Sequence, residues 1–234
     1  MQQVRIRSGD ISTTPRIAEL PALLKYKNED VVLKFCKEWD VSQTEAEDIF
    51  EDTKKFLYLA AHCKADCFSA SIYHQFQIID EMWHSFLQFT DQYADFCEAY
   101  LGGFLHHFPF SRSLLREQMK LLARTQQTFA SYKQETFARQ LAKTKDLLGD
   151  DTLIKWYGEY AHRYNVSQLN ALRKPIEFDS TQLNIESLVT PEILALPKEK
   201  VLQFILDRKP IFNSVCGCSG KGCGAGCYCN SPHM

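Results

Sequence analysis

The sequence lacks a long hydrophobic run, an apolar leader and an excess of charge of either sign. No stretch approaches the roughly 18 consecutive apolar residues that a membrane-spanning helix needs. Residues 1–8 are mostly polar and contain no apolar segment of the kind found in a secretory signal. The 27 basic and 29 acidic residues leave a net charge of -2. We therefore expect a cytoplasmic protein with no electrostatic footprint for nucleic acid or a membrane.

Strand-like alternation is also lacking, and helical periodicity takes its place. Ser42-Gln43-Thr44-Glu45 fits a capping box and predicts a helix over 43–62. Asn28 predicts a cap for a helix near 29–38. The remaining predicted helices cover about 69–101, 111–148 (in one or two pieces), 151–163, a short stretch after Thr190-Pro191, and 198–208.

These helices predict an all-α fold. One helical domain over 15–212, an irregular bundle around a single core, is expected to follow a flexible arm over 1–14. Residues 213–234 form a separate tail rich in cysteine and glycine. The other cysteines are expected to be buried apolar residues: Cys36, Cys63, Cys67 and Cys97.

The predicted helix over 69–101 carries an apolar stripe beside a polar seam. At about 100° per residue, the stripe contains Ile72, Phe76, Ile79, Trp83, Phe86, Leu87, Cys97 and Leu101. The seam contains Tyr73, Asp80, His84 and Asp91. Asp80 and His84 lie four residues apart and share one face. A carboxylate and an imidazole at that spacing can hold a divalent metal or form an acid–base pair.

Two further histidines follow the end of this helix. Gly102-Gly103 is a typical helix terminus, and His106-His107 comes directly after it. If the chain folds back there, His106 or His107 completes a ligand set with Asp80 and His84 that suits zinc or non-haem iron. The alternative is structural, because an Asp–His pair four apart is often a plain surface hydrogen bond and the two histidines can also cap a turn.

A di-iron centre is a second alternative. Glu81-x-x-His84 and Glu159-x-x-His162 are both Glu-x-x-His motifs on predicted helices. Two such motifs, with a glutamate from each of two other helices, form the ferritin-like di-iron site. Glu81, however, falls opposite the apolar stripe, where an inward-facing ligand is not expected.

The tail contains five cysteines separated mostly by glycine: Cys216, Cys218, Cys223, Cys227 and Cys229. Thiolates on so flexible a segment can wrap a small soft ion, and Cys-x-Cys pairs are tighter than zinc-finger spacing. We therefore expect the tail to bind Zn(II) or Cu(I). The alternative is a disordered end whose thiols are incidental.

The run Ile79-Asp80-Glu81-Met82-Trp83-His84, then Tyr93, Phe96-Cys97, Gly102-Gly103 and His106-His107, resembles the glycine-rich-domain-containing protein family. The resemblance spans mainly 72–109, with the tail as a looser second point. It implies a shared fold and a site that includes Asp80, Trp83, His84, Cys97, His106 and His107. The plant form often has another histidine two residues after the first, a position that Phe86 occupies here.

Three functions are compatible with these patterns. The first is a metal-binding protein whose site contains Asp80, His84 and His106 or His107. A metal-dependent enzyme is one version of this first function. The second is a non-catalytic module that sequesters or delivers metal through the tail. The third is a helical interaction protein in which these residues are structural.

Overall fold

A computed structural model describes residues 16–108, 111–175 and 190–207. Helices fill most of these ranges, which contain no strand beyond one isolated bridge between Trp39 and Arg173. The predicted all-α class is confirmed for this part of the chain. None of its helices combines the length and apolarity needed to cross a bilayer. The predicted arm over 1–14 and tail over 213–234 lie outside the described residues.

The second and third N-terminal helices begin where the sequence predicts, whereas the first begins at Leu20 rather than at Pro15. The three helices are α1 (Leu20–Leu24), α2 (Glu29–Glu38) and α3 (Gln43–Ala65). The Asn28 side chain accepts the Val31 N–H, and the Ser42 hydroxyl accepts the Glu45 N–H. The Glu45 carboxylate instead accepts the Tyr164 hydroxyl, 2.7 Å away, and pairs with Arg163 at 2.8 Å. The Ser42 cap is therefore made, while Glu45 ties α3 to the C-terminal part of the domain.

The predicted helix over 69–101 is wrong as a single element. It consists of a 3₁₀ turn (His74–Phe76), α4 (Gln77–Leu87) and α5 (Thr90–Tyr100), with Phe89 in a non-helical conformation between the last two. An unbroken helix would turn Phe96 about 120° away from the apolar stripe. The break re-aims α5, and Phe96 is 1% exposed.

The second half of the domain is a helical hairpin followed by short helices. Its elements are α6 (Arg112–Thr125), α7 (Phe129–Ile154), a π-helical segment (Lys155–Glu159), α8 (Tyr160–Arg163) and α9 (Val166–Leu172). Gly149, predicted to end a helix, instead kinks α7 with φ +82° and ψ 172°. Farther along lie α10 (Pro191–Leu194) and α11 (Lys198–Leu206).

The core forms around α3, which packs against α1, α2, α4 and α7. Trp156 lies in it against Phe56 and Phe76, with ring centroids 6.3 and 5.4 Å away. Two of the scattered cysteines, Cys63 and Cys97, are buried as expected. Cys36 is half-buried, and the prediction for Cys67 is wrong: it is exposed, in a left-handed turn with φ +59°.

A clasp of backbone hydrogen bonds joins the chain after α9 to the end of α2. The Asp40 N–H donates to the Leu172 carbonyl at 2.7 Å, and the Lys174 N–H donates to the Glu38 carbonyl at 2.9 Å. The Arg173 guanidinium lies 5.0 Å from the Trp39 ring centroid. This clasp brings two segments far apart in the sequence together at one end of the domain.

Candidate metal site

The first two residues of the candidate site lie on α4, and the third comes from the segment after α5. Asp80 and His84 are one helical turn apart. Gly102 and Gly103 have φ values of +69° and +129°, a conformation that a side chain would strain, and they reverse the chain after α5. The segment that follows places His107 against α4.

The structure brings Asp80, His84 and His107 together. Each offers one ligand atom, and these three atoms lie within 4.8 Å of one another. Asp80 Oδ1 is 2.8 Å from His107 Nε2, and Asp80 Oδ2 is 3.9 Å from His84 Nε2. The two imidazole rings stack with centroids 4.7 Å apart and an interplanar angle of 15°.

The exposure of these side chains is graded. His107 is 15% exposed and Asp80 is 22% exposed, whereas His84 is 47% exposed. Glu81 adds a further carboxylate, with Oε1 3.9 Å from His84 Nδ1. The group therefore has an inner side formed by Asp80 and His107, and an outer side at His84 that opens to solvent.

A buried hydrogen-bond network fixes the position of His107. The Trp83 indole N–H donates to the Tyr93 hydroxyl at 3.1 Å, and that hydroxyl donates to the Leu105 carbonyl at 2.6 Å. The Trp83 ring in turn stacks on the His107 imidazole, with centroids 4.2 Å apart. Tyr93 therefore anchors the segment that carries His107, and Trp83 supports its ring directly.

Burial also sets the protonation of this network. It raises the pKa of the Tyr93 phenol and that of the Cys97 thiol, which lies in hydrogen-bonding reach of Tyr93 and the Leu105 backbone. Both groups therefore stay neutral well above neutral pH. A protonated Tyr93 is what the donation to Leu105 requires.

His106 does not join the group. It is exposed, and its ring lies between Phe104 and Phe108, with centroids 4.8 and 5.4 Å away. Leu105 and His107 point inward on the alternate side of this extended segment. The sequence left His106 and His107 as alternatives, and the structure selects His107.

The di-iron alternative is not supported by this geometry. Glu159 and His162 are exposed, and neither belongs to a group of potential ligands with Glu81 or His84 among the described residues. Glu159 closes the π-helical segment, whose inward side is taken by Trp156. The cysteines predicted to bind Zn(II) or Cu(I) lie in the tail, outside the described residues.

The bridging role of Tyr93 was not foreseen, and Trp83 was marked as a site residue by the family resemblance alone, without a stated role. Helical periodicity placed Trp83 in the apolar stripe, and Tyr93 had no role beyond its place in the family pattern. The structure shows Trp83 as the stacking partner of His107 and Tyr93 as the bridge between α4 and the following segment. Their amphipathic side chains, each with one polar atom on an apolar ring, were the available signal.

Chemically, the group has the composition of a three-ligand metal site. Two imidazoles and one carboxylate are a set found with zinc and with non-haem iron, in sites that leave positions open for water or substrate. Without a metal, His107 Nε2 and Asp80 Oδ1 satisfy each other as a hydrogen bond. The arrangement can thus serve as a ligand set or as an oriented acid–base pair.

Residues 25–174, which include every residue of this group, match the protein family described as UCP032817-like. The match spans α2 to α9 and ends at the clasp. No curated protein and no solved structure matches the chain significantly.

Proposed function

The chain belongs to the UCP032817-like family, and we propose that it binds one divalent metal ion through Asp80, His84 and His107. Zinc and ferrous iron are the metals that best suit two imidazoles and a carboxylate. Three protein ligands leave coordination positions for water and a substrate. We therefore propose that the protein is a metal-dependent enzyme.

The observation that carries the proposal is the convergence of three ligand atoms within 4.8 Å. Metal–ligand bonds of about 2.0–2.2 Å place neighbouring ligand atoms roughly 3–4 Å apart. Small side-chain rotations would bring these atoms to that spacing. The resemblance to glycine-rich-domain-containing proteins rests on the same segment and supports the same residues.

The second support is the arrangement around the ligands. Metal-binding histidines are usually held by outer contacts that fix the ring. Here Trp83 stacks on His107, and Tyr93 holds the preceding backbone. A histidine that only capped a turn would not need this buried support from two other elements.

Metal binding at this group competes with a proton. Asp80 Oδ1 lies against His107 Nε2, so coordination through Nε2 breaks that hydrogen bond and requires a neutral ring whose proton is on Nδ1. Binding should therefore release protons and weaken as the pH falls, because imidazoles must be neutral to ligate. The direction of this dependence distinguishes coordination from simple ion pairing of a cationic histidine.

The test is metal binding to the anaerobically purified full chain by isothermal titration with Zn(II) or Fe(II), and by elemental analysis. To isolate this site from the tail, each substitution is made in a background with the five tail cysteines changed to serine. We expect His84→Ala and His107→Ala each to weaken binding by at least about tenfold, as the loss of a ligand should.

His106→Ala is the matched control, since His106 is an adjacent histidine that lies outside the group. It should leave the affinity unchanged. Equal binding by the His107→Ala and His106→Ala proteins, or no binding by the parent with the five tail cysteines changed to serine, would refute the α4 site. Unchanged far-UV circular dichroism would show that the variants are folded.

A further inference from the structure

The positive charge of this chain is concentrated in α6 and the first part of α7, ahead of Asp146, Asp150 and Asp151, which bring the whole hairpin to +3. Residues 111–145 contain eight basic and two acidic residues, a net charge of +6, while the chain as a whole carries -2. The rest of the chain therefore carries -8. The net charge of the whole chain conceals this asymmetry. The expectation that the protein has no nucleic-acid or membrane partner depended on that net charge. Such a distribution is typical of proteins that bind an anionic surface.

The cations of α7 and those of α6 differ in their contacts. The four on α7 are engaged: Lys133 with Phe129, Arg139 with Phe68, Lys143 with Asp66, and Lys145 with Asp150. The four on α6 are Arg112, Arg116, Lys120 and Arg124. All four are exposed, and none forms an ion pair within the ranges that the structure describes.

These four cations follow one side of α6. Each is four residues after the last, so they advance about 6 Å per step and spread over roughly 120° of the helix surface. Glu117 is the one acidic residue of this helix. The arrangement gives α6 a basic face of net charge +3 that the rest of the domain does not neutralise.

Exposed apolar residues border this basic face. Leu122 packs inward, toward α7, and is 4% exposed. Leu114 and Leu121, seven residues apart and therefore on the same side of α6, are 46% and 57% exposed. Met119, on the opposite edge, is 49% exposed. A helix with a basic face and uncovered leucines at its rim is suited to the interface of a bilayer.

We propose that α6 is the docking surface for an anionic lipid bilayer, with its cations on the headgroups and Leu114 and Leu121 at the acyl boundary. A nucleic acid would engage the cations but leave the exposed leucines without a role. A bilayer uses both, because interfacial binding combines electrostatic attraction with apolar burial. The anionic bilayer would repel the rest of the molecule, which carries net negative charge. The protein would therefore be oriented with α6 facing the bilayer.

The test is flotation of the full-length protein with phosphatidylcholine vesicles that contain or lack phosphatidylserine. We expect binding only to the anionic vesicles, and binding should fall as salt is raised. Lys120→Glu/Arg124→Glu should weaken it by roughly 30-fold or more, since each cation near such a surface contributes about 1 kcal/mol. The matched control is Lys25→Glu/Lys27→Glu, which changes the net charge equally at two exposed lysines outside the hairpin.

A second variant separates apolar insertion from charge alone. Leu121→Ser should reduce vesicle binding several-fold while leaving retention on heparin unchanged. Equal loss in the two double variants would overturn the proposal, since net charge alone would then explain binding. Binding to a single-stranded RNA oligonucleotide but not to anionic vesicles would also overturn it and make nucleic acid the partner. Circular dichroism of each variant establishes that it is folded.

Discussion

At the scale of single residues, Tyr93 connects the two halves of the candidate site. Its hydroxyl accepts the Trp83 indole N–H and donates to the Leu105 carbonyl. Tyr93→Phe removes both bonds and leaves two buried polar groups unpaired. We expect a loss of about 1–3 kcal/mol in unfolding free energy. Urea denaturation followed by circular dichroism measures it.

The same substitution should also weaken metal binding, because the segment that carries His107 loses its anchor. Tyr100→Phe is the control: Tyr100 is half-buried on the same helix, and its hydroxyl makes no hydrogen bond among the described residues. That variant should keep both its stability and its metal affinity. A Tyr93→Phe protein as stable as Tyr100→Phe would contradict the bridging role.

Lys54 is a buried cation with an effect on stability that depends on pH. It is 1% exposed, and its ammonium donates to the Leu24 and Tyr26 carbonyls at 2.8 Å. Burial lowers the pKa of Lys54 to about 8 from the ordinary value of 10.5. Between these two values the unfolded chain binds more protons at this residue than the folded one, so the stability contribution of Lys54 rises with pH.

The comparison of the parent with Lys54→Met isolates this contribution. Cysteines and tyrosines titrate in the same range, but they are common to both proteins and cancel in the difference. The unfolding free energy of the parent minus that of the variant should increase by about 1–2 kcal/mol from pH 7.5 to 9.5. A difference that stays flat or falls over this window would show that the carbonyl contacts keep Lys54 charged.

At the scale of elements, the kink in α7 depends on one glycine. Gly149 has φ +82° and ψ 172°, a conformation that other residues adopt only under strain. Gly149→Ala should cost about 1–3 kcal/mol, although no atom lies within 4 Å of an added Cβ. Gly158→Ala is the matched control, because Gly158 also has open space but no positive φ. In thermal unfolding, Gly149→Ala should melt at a lower temperature than the parent, whereas Gly158→Ala should be neutral or slightly stabilised. Equal melting temperatures of the two variants would contradict the strain argument.

The helix starts were predictable because their causes are local. Asn28 and Ser42 each satisfy a backbone N–H three residues away, and that pattern is visible in the sequence. The break before Thr90 was not, since its cause is the burial of Tyr93 and Phe96 against other helices. Phe96 outside the apolar stripe was at most a weak local sign, because Ile78 lies at the same angle of a straight helix and is buried on α4.

The candidate site was predictable in its local part, Asp80 and His84, but not in the choice of its third residue. Asp80 and His84 share a face of one helix, so their spacing alone places them together. The choice between His106 and His107 depends on which side of an extended segment turns inward. Phe104, Leu105 and Phe108 are all apolar, so no alternation in the sequence marks that side. The Tyr93–Leu105 bond, a tertiary contact, decides it.

At the scale of the whole molecule, the tail predicted to bind soft metal extends beyond the region matched to the family. We expect the 1–213 protein to keep nearly all of its helicity, since the tail contains almost no large apolar residue. The full chain should bind additional Zn(II) or Cu(I), with proton release as thiols ionise. Thiol-reactivity titration with and without metal checks this. Five tail thiols that react equally fast in both conditions would contradict it.

The clasp between α2 and the end of α9 has a consequence for the order in which the chain folds. Trp39 is 4% exposed partly because Arg173 lies over its ring. Contacts between segments so distant in sequence form slowly, because a long loop must close first. During synthesis, α1 to α5 are complete long before Arg173 is made. The growing chain must therefore carry Trp39 without its Arg173 cover through most of translation, with Phe35 stacked on the ring at a centroid distance of 5.7 Å. The domain closes only when its last family-matched residues arrive.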